Sequence, residues 1–167
     1  MLFINREKQS ETFTMKTRRR ARRVTLEVLY EYDVAHHPPG EILQRRLQDN
    51  QMDSSGAEFA SQLVQGTLKY MDGMDILIAR YAPEWPLEQM AVIDRNILRI
   101  AIFEFIASEE TPVKVAINEA VELAKTYGSD SAPRFINGVL GTLAEKIDAL
   151  RAELIAGEEQ HAIVAAG

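Results

Sequence analysis

Apolar positions along this chain recur at intervals of three and four residues, and the two-residue alternation of a strand is almost absent. This spacing is typical of amphipathic helices, so we expect an all-α fold of about seven helices. The stretch 93–107 is apolar almost all round, which predicts a buried central helix. The predicted helices cover residues 17–35, 41–48, 57–82, 87–91, 93–107, 113–127 and 131–154.

A proline-flanked break at 83–86 is the strongest internal interruption of this helical pattern. Prolines at such spacing end a helix and mark a turn or a boundary between parts of a fold. We therefore expect an N-terminal helical subdomain over residues 16–82 and a C-terminal helical subdomain over residues 87–155.

The two ends of the chain lack a clear pattern. Residues 1–15 are polar and aperiodic, so we expect a disordered N-terminal extension there. Met15 would suit a natural start, which makes residues 1–14 a candidate upstream extension. Residues 156–167 are rich in alanine and predict a flexible tail.

Composition excludes several classes of protein. The best apolar run, at 97–107, is shorter than the roughly 18 residues of a membrane span and contains Arg99 and Glu104. The chain has no cysteine, which excludes disulfides, thiolate metal sites and cysteine nucleophiles. The pair His36–His37 precedes two prolines, and no pattern of carboxylates surrounds it. We therefore expect no metal site and no cofactor. With no signal peptide pattern, the expected location is cytoplasmic.

A basic block stands out on an otherwise acidic chain. Six of the eight residues in 16–23 are Lys or Arg, whereas the chain from Val24 onward carries 11 Lys/Arg against 23 Asp/Glu. The planar fork of arginine suits phosphate better than the point charge of lysine. The block therefore predicts binding to a polyanion, with a solvated basic tail as the alternative.

Helical phasing places most of this block on one side of the first helix. At 100° per residue, an arc of about 80° carries the predicted core stripe. That stripe consists of Ala21, Val24, Val28, Tyr32 and Ala35. Arg19, Leu26 and Tyr30 lie on the opposite, solvent-facing side, and Arg22 and Arg23 lie on the two flanks of that side. Arginines beside an exposed aromatic ring suit single-stranded RNA, although Leu26 and Tyr30 could instead pack under a neighbouring helix.

Three C-terminal stretches carry further patterns: DRNILRIAIFEF from Asp94, PVKVAINEAVELAK from Pro112 and RFINGVL from Arg134. Together with the arginine-rich segment and Leu29-Tyr30, they resemble the NusB family of transcription antitermination factors. The resemblance covers about residues 16–150, and the order and spacing of the motifs make it specific. It implies two packed three-helix subdomains and no catalytic activity.

The resemblance also implies partners. Members of this family pair with NusE, a protein of the small ribosomal subunit. The pair binds the boxA element of ribosomal RNA leader transcripts and joins an antitermination complex on RNA polymerase. Some members form a homodimer, so that assembly stays open for this chain. The acidic body of the chain suits a basic ribosomal partner.

The resemblance also implies which residues of this chain contact RNA. Arg134 is added because it adjoins the motif phenylalanine and could reach a phosphate. Arg23 stands where the family often has an acidic residue, so it could strengthen phosphate contact or add only non-specific affinity. The role of Asp130 is open, because the family often places an acidic residue nearer the phenylalanine. The positions implied by the motifs are Arg18, Arg19, Arg20, Arg22, Tyr30 and Phe135.

Phe135 also has support from the residues alone. It lies roughly 100° from the centre of the core stripe of the last predicted helix, near the helix N-terminus. Such a ring could stack a nucleobase beside backbone N–H groups that attract phosphate, or it could cap a groove between helices.

Two other functions compete with this interpretation. A protein-only scaffold could use the basic face to bind an acidic polypeptide. An RNA-binding domain of an RNA-modification system is the second, because related helical domains occur fused to RNA methyltransferases. This chain leaves no room for a cofactor-binding α/β domain after its helical region.

Overall fold

The computed structural model describes the backbone of residues 2–167 and the side chains of residues 5–167. Across that range it contains eight α-helices and no strand, which confirms the all-α prediction with one helix more than expected. None of the helices in the described range is long and apolar enough to cross a bilayer. The helices are α1 (Leu2–Ala35), α2 (Pro39–Asp49), α3 (Ser54–Lys69), α4 (Met71–Tyr81), α5 (Val92–Ile102), α6 (Val113–Tyr127), α7 (Ala132–Ala144) and α8 (Ile147–Ala166).

The chain forms two compact units, which we call unit 1 (residues 1–64) and unit 2 (residues 65–167). The division falls inside α3, earlier in the chain than the predicted boundary at 83–86. Helix α4 packs on α5, α7 and α8, so it belongs to unit 2. The prolines at 83–86 therefore form a turn within unit 2.

Both ends of the chain are helical where the sequence predicted disorder. Helix α1 begins at Leu2, not at Thr17, and its described side chains from Asn5 to Lys16 are exposed. No glycine or proline interrupts this stretch, and residues such as Glu7, Lys8 and Gln9 favour a helix even without tertiary contacts. Alanine-rich residues 156–166 likewise continue α8.

Two long predicted helices are each divided in the structure. The helix expected over 57–82 is α3 followed by α4, with Tyr70 between them outside regular helical geometry. The helix expected over 131–154 is α7 followed by α8, joined through Glu145 and Lys146. Apolar periodicity runs across both joints, so the hydrophobic pattern does not mark them.

Helix α5 is the centre of unit 2, as its apolar pattern predicted. Every residue from Asn96 to Ile102 is buried. A π-helical turn, Phe103–Ala107, continues it and buries three more side chains. Helices α4, α6 and α7 pack around α5. This core supports two segments that reach the surface of unit 2, the 83–86 turn and the start of α7.

In unit 1, α1 packs against α2. Ala21, Val24 and Val28 of the predicted core stripe are buried, together with Ile42 on α2. The amphipathic pattern of α1 therefore identified part of its inner face, whereas Ala35, the last residue of the predicted stripe, is exposed. The same packing determines which parts of its outer face reach solvent.

Candidate nucleic-acid interface

One row of exposed side chains on α1 contains Arg19, Arg23 and Tyr30. They are separated by four and seven residues, which places them on the same face of the helix over about 16 Å. Tyr30 is 42% exposed, so its ring is accessible although it emerges from a packed helix. We call these three residues the arginine face. They present two cations and one aromatic ring to solvent.

Two other arginines of the block point to a ring of unit 1. The guanidinium of Arg18 lies 4.7 Å from the centroid of the Phe59 ring, and that of Arg22 lies 5.3 Å from it. Arg22 is only 3% exposed, whereas its helical phase had predicted a flank of the solvent face. This is a correction: α3 brings Phe59 over that flank, and the aliphatic stem and guanidinium of Arg22 pack there.

The environments of Arg20 and Leu26 also differ from those predicted from their helical phase. The Arg20 guanidinium donates a hydrogen bond to the carbonyl oxygen of Asn50, 2.5 Å away, at the C-terminal end of α2. The last carbonyls of a helix lack intrahelical donors, so this contact caps α2. Leu26, expected opposite the core stripe, is buried.

An ion-pair cluster fixes α1 to α2 beside the arginine face. The Glu31 carboxylate accepts hydrogen bonds from Arg45 at 2.5 Å and from Arg46 at 3.3 Å, and it lies 3.0 Å from the ring nitrogen of His37. Hydrogen bonding to Arg45, then to His37, lowers the pKa of Glu31 to about 2. Glu31 follows Tyr30 directly, so the cluster holds the helical turn that presents the Tyr30 ring.

The second candidate patch is a cavity of about 640 Å³ in unit 2, which we call the aromatic cavity. Trp85 from the 83–86 turn and Phe135 from the first turn of α7 both line it. Their ring centroids are 6.4 Å apart with an interplanar angle of 67°, an edge-to-face arrangement. The Trp85 side chain is 54% exposed.

Polar groups of three kinds surround these rings. Arg134 is exposed and lines the cavity beside Phe135. Asp94, near the start of α5, also lines it, and burial raises the pKa of its carboxyl group. Its Oδ1 atom is buried without a hydrogen-bond partner. Ser129 and Ser131 line the cavity, but Asp130 between them does not.

The sequence identified Arg134 and Phe135 as candidates but assigned no role to Trp85 or Asp94. Trp85 is the only tryptophan of the chain and stands between two prolines, where a core side chain is not expected. This position was the signal that could have marked it as a surface residue. Nothing in the sequence indicated that Trp85 would meet a ring fifty residues further on.

Fold and patches together define an all-helical protein with exposed cations and aromatic rings on its surface, a combination typical of nucleic-acid-binding proteins. A sequence model of the NusB family matches residues 19–145. The chain is 47% identical to the transcription antitermination protein NusB of Dehalococcoides mccartyi (strain CBDB1) over 131 residues, which cover 78% of this chain and 92% of that protein. It is 46% identical to the corresponding protein of Roseiflexus castenholzii, with coverage of 77% and 92%. This chain belongs to the NusB family.

Solved structures agree with this assignment. The structure of T. maritima NusB superimposes with a TM-score of 0.72 at 33% identity, covering 77% of this chain and 91% of that one. A chain in the crystal structure of antitermination factors NusB and NusE in complex with double-stranded RNA gives a TM-score of 0.73 at 25% identity, covering 78% and 98%. The NusB fold therefore extends over most of this chain.

Proposed function

We propose that this protein is an RNA-binding transcription antitermination factor. With NusE it binds the boxA element of ribosomal RNA leader transcripts and supports antitermination by RNA polymerase. The observation that carries the proposal is the arginine face, a row of exposed cations and one ring in a chain of the NusB family. The role is binding rather than catalysis, and a role in transcription places the protein in the cytoplasm.

Within the arginine face, Arg19 and Arg23 contact phosphates and Tyr30 stacks on an unpaired base. Arginine forks match phosphate oxygens, and an aromatic face accepts any base, so the three groups supply affinity without requiring a duplex. Arg23 belongs to this set because it is exposed and in line with Arg19 and Tyr30. The departure from the family pattern at this position therefore adds a phosphate contact.

The other arginines of the block serve the helix that carries this face. Arg18 and Arg22 stack on Phe59, and Arg20 caps α2. These contacts fix the rotation of α1, and with it the direction in which Arg19 and Arg23 point. Arg18 and Arg20 are still partly exposed and add to the positive potential around the face.

The assignment of NusE as the partner rests on charge as well as on membership of the NusB family. The chain from Val24 onward has 11 Lys/Arg against 23 Asp/Glu, so the body of the protein is strongly acidic. A basic ribosomal protein such as NusE complements such a surface, and the complementarity steers its association. The relative in the NusB–NusE–RNA crystal structure supports the same pairing.

The salt dependence of RNA binding tests the arginine face. The Arg19→Ala/Arg23→Ala double variant should bind boxA RNA more weakly, with a slope of log affinity against log salt lower by about 1.4 because two single-strand phosphate contacts are lost. The matched control is Lys114→Ala/Lys125→Ala, which removes the same charge from exposed positions on α6. Fluorescence anisotropy of labelled RNA gives both slopes.

Equal slopes for the two double variants would refute the assignment of Arg19 and Arg23. A scrambled RNA of equal length measures the non-specific part of the affinity. A protein-only scaffold would bind boxA and scrambled RNA equally weakly, and co-purification with NusE would then be independent of boxA RNA.

A further inference from the structure

The N-terminal part of α1 extends beyond the packed part of unit 1. Thr17 is the first residue of the described helix that is not exposed, and its methyl group lies 3.0 Å from the point where a side chain would begin at Gly56 on α3. Every described side chain before it, from residue 5 to residue 16, is exposed. We call residues 5–16 the N-terminal arm. The arm needs no helix nucleus of its own, because it continues a helix that packs against α2.

The arm continues the arginine face along the same side of α1. At 100° per residue, Lys8, Thr12 and Lys16 all point within about 60° of the direction of Arg19. These three residues also line one shallow depression of the surface, so they share a side of the helix. The row from Lys8 to Tyr30 is about 33 Å long, roughly twice the length of the arginine face alone.

Phe13 gives the arm an exposed aromatic ring. Its side chain is 63% exposed and lines the same depression as Lys8 and Lys16. Two cations beside a ring repeat the composition of the arginine face, which has two arginines and Tyr30. The cations suit phosphates, and the ring accepts the face of any base.

The acidic residues of the arm lie on its other sides. At 100° per residue, Glu7 points about 140° away from Thr12, and Glu11 points about 100° away from it. The row is therefore cationic, although the arm as a whole is nearly neutral. Cations in a line along a straight helix suit a ligand whose negative charges are also spaced along a line. That is the arrangement of charge in a nucleic-acid backbone.

From these observations we propose that the N-terminal arm binds single-stranded RNA that flanks boxA. Lys8 and Lys16 contact phosphates of the flanking segment, and Phe13 stacks on an unpaired base. The arm lies outside residues 19–145, the part of the chain that the NusB family model matches, so family membership does not supply this contact. The inference rests on the proposed function, because the flanking segment belongs to the RNA that the arginine face holds.

Two tailed RNAs test the arm on the full chain. One carries an oligouridine tail on the 5′ side of boxA and the other carries it on the 3′ side, each of about ten nucleotides, a length within the range of single-strand binding sites. Because the row runs from Tyr30 in one direction only, one of the two tails should raise the affinity above that of boxA RNA alone. For that RNA, the slope of log affinity against log salt should be steeper by about 1.4, the value for two single-strand phosphate contacts.

Lys8→Ala and Arg6→Ala provide a matched pair of variants. Each removes one exposed cation from the arm, but Arg6 points about 160° away from Lys8. Lys8→Ala should lower the slope for the tailed RNA by about 0.7, whereas Arg6→Ala should leave it unchanged. Neither variant should change the affinity for boxA RNA without a tail.

Phe13→Leu tests the ring separately from the charges. Leucine keeps an apolar side chain and favours the helix, so the arm should keep its conformation. The variant should weaken binding of the tailed RNA roughly fivefold, the lower end of the range for loss of one stacked base, and should leave the salt slope unchanged.

Several results would overturn the inference. Tails that change neither affinity nor slope would remove the arm from RNA binding and leave the proposed function standing. Failure of untailed boxA RNA to bind, with or without NusE, would instead reject the proposed function. Equal slopes for Lys8→Ala and Arg6→Ala would reject a row of contacts in favour of a diffuse charge effect. A dimer in sedimentation equilibrium whose formation competes with the tailed RNA would assign the arm to contact between two copies of the chain.

Discussion

Replacing Asp75 by alanine should destabilise unit 2, because a buried arginine loses the carboxylate that binds it through two hydrogen bonds. Asp75 on α4 accepts two hydrogen bonds from Arg99 on α5: Nε–Oδ1 and Nη2–Oδ2 are both 2.7 Å. The Arg99 side chain is 5% exposed and that of Asp75 is 21% exposed. The pair therefore joins the central helix to its neighbour at a place where water does not replace a lost partner.

The magnitude follows from this burial. Removing one partner of a buried ion pair costs about 3–5 kcal/mol, and the partial exposure of Asp75 favours the lower end. A loss of about 3 kcal/mol in the free energy of unfolding lowers the melting temperature of a chain of this size by about 6–12 °C. The amide oxygen of Asn96 also accepts a hydrogen bond from Arg99, at 3.0 Å, but it carries no full charge.

Urea unfolding followed by circular dichroism measures this loss, and two variants control for it. Glu153→Ala breaks a similar bidentate pair with Arg80, but both side chains are more than 40% exposed, so stability should change little. Asp75→Ala/Arg99→Met removes the buried cation as well and should recover part of the stability. Equal losses for Asp75→Ala and Glu153→Ala, or a double variant less stable than the single one, would refute the reasoning.

Two further predictions concern unit 1. Phe59→Ala should lower the free energy of unfolding by about 3–5 kcal/mol, because it opens a cavity and removes the ring that holds Arg18 and Arg22; urea unfolding that matches the unmodified protein would contradict this. In the folded protein the pKa of Glu31 is lowered from 4.5 to about 2, so its ionised carboxylate stabilises the fold fully above pH 4.5 and loses this effect as the pH falls through about 2. Glu31→Gln should abolish this stabilisation. The difference between the two urea midpoints should therefore shrink on acidification, and a constant difference would argue against the Glu31 cluster.

Much of the fold was predictable, because a helix with one apolar face has apolar residues every three to four positions in the sequence. The buried centre at α5 and the buried positions Ala21, Val24 and Val28 of α1 followed from that pattern. The joints at Tyr70 and at Glu145–Lys146 did not, because apolar spacing continues across them and only the packing of α4 and α8 in unit 2 fixes the turn. The helical ends of the chain escaped prediction because their propensity is not accompanied by an apolar stripe.

The all-helical class, the concentration of arginines at the start of one helix and the motifs shared with the NusB family are all visible in the amino-acid sequence. Which of the arginines reach solvent depends instead on how the helices pack. Helical phase gives the direction of a side chain around its own helix, but not which distant residue covers that direction. Phe59 covers Arg22, the end of α2 engages Arg20, and Arg19 and Arg23 remain exposed in line with Tyr30. The pairing of Trp85 with Phe135 has the same origin, since packing within unit 2 joins two segments that no local pattern connects.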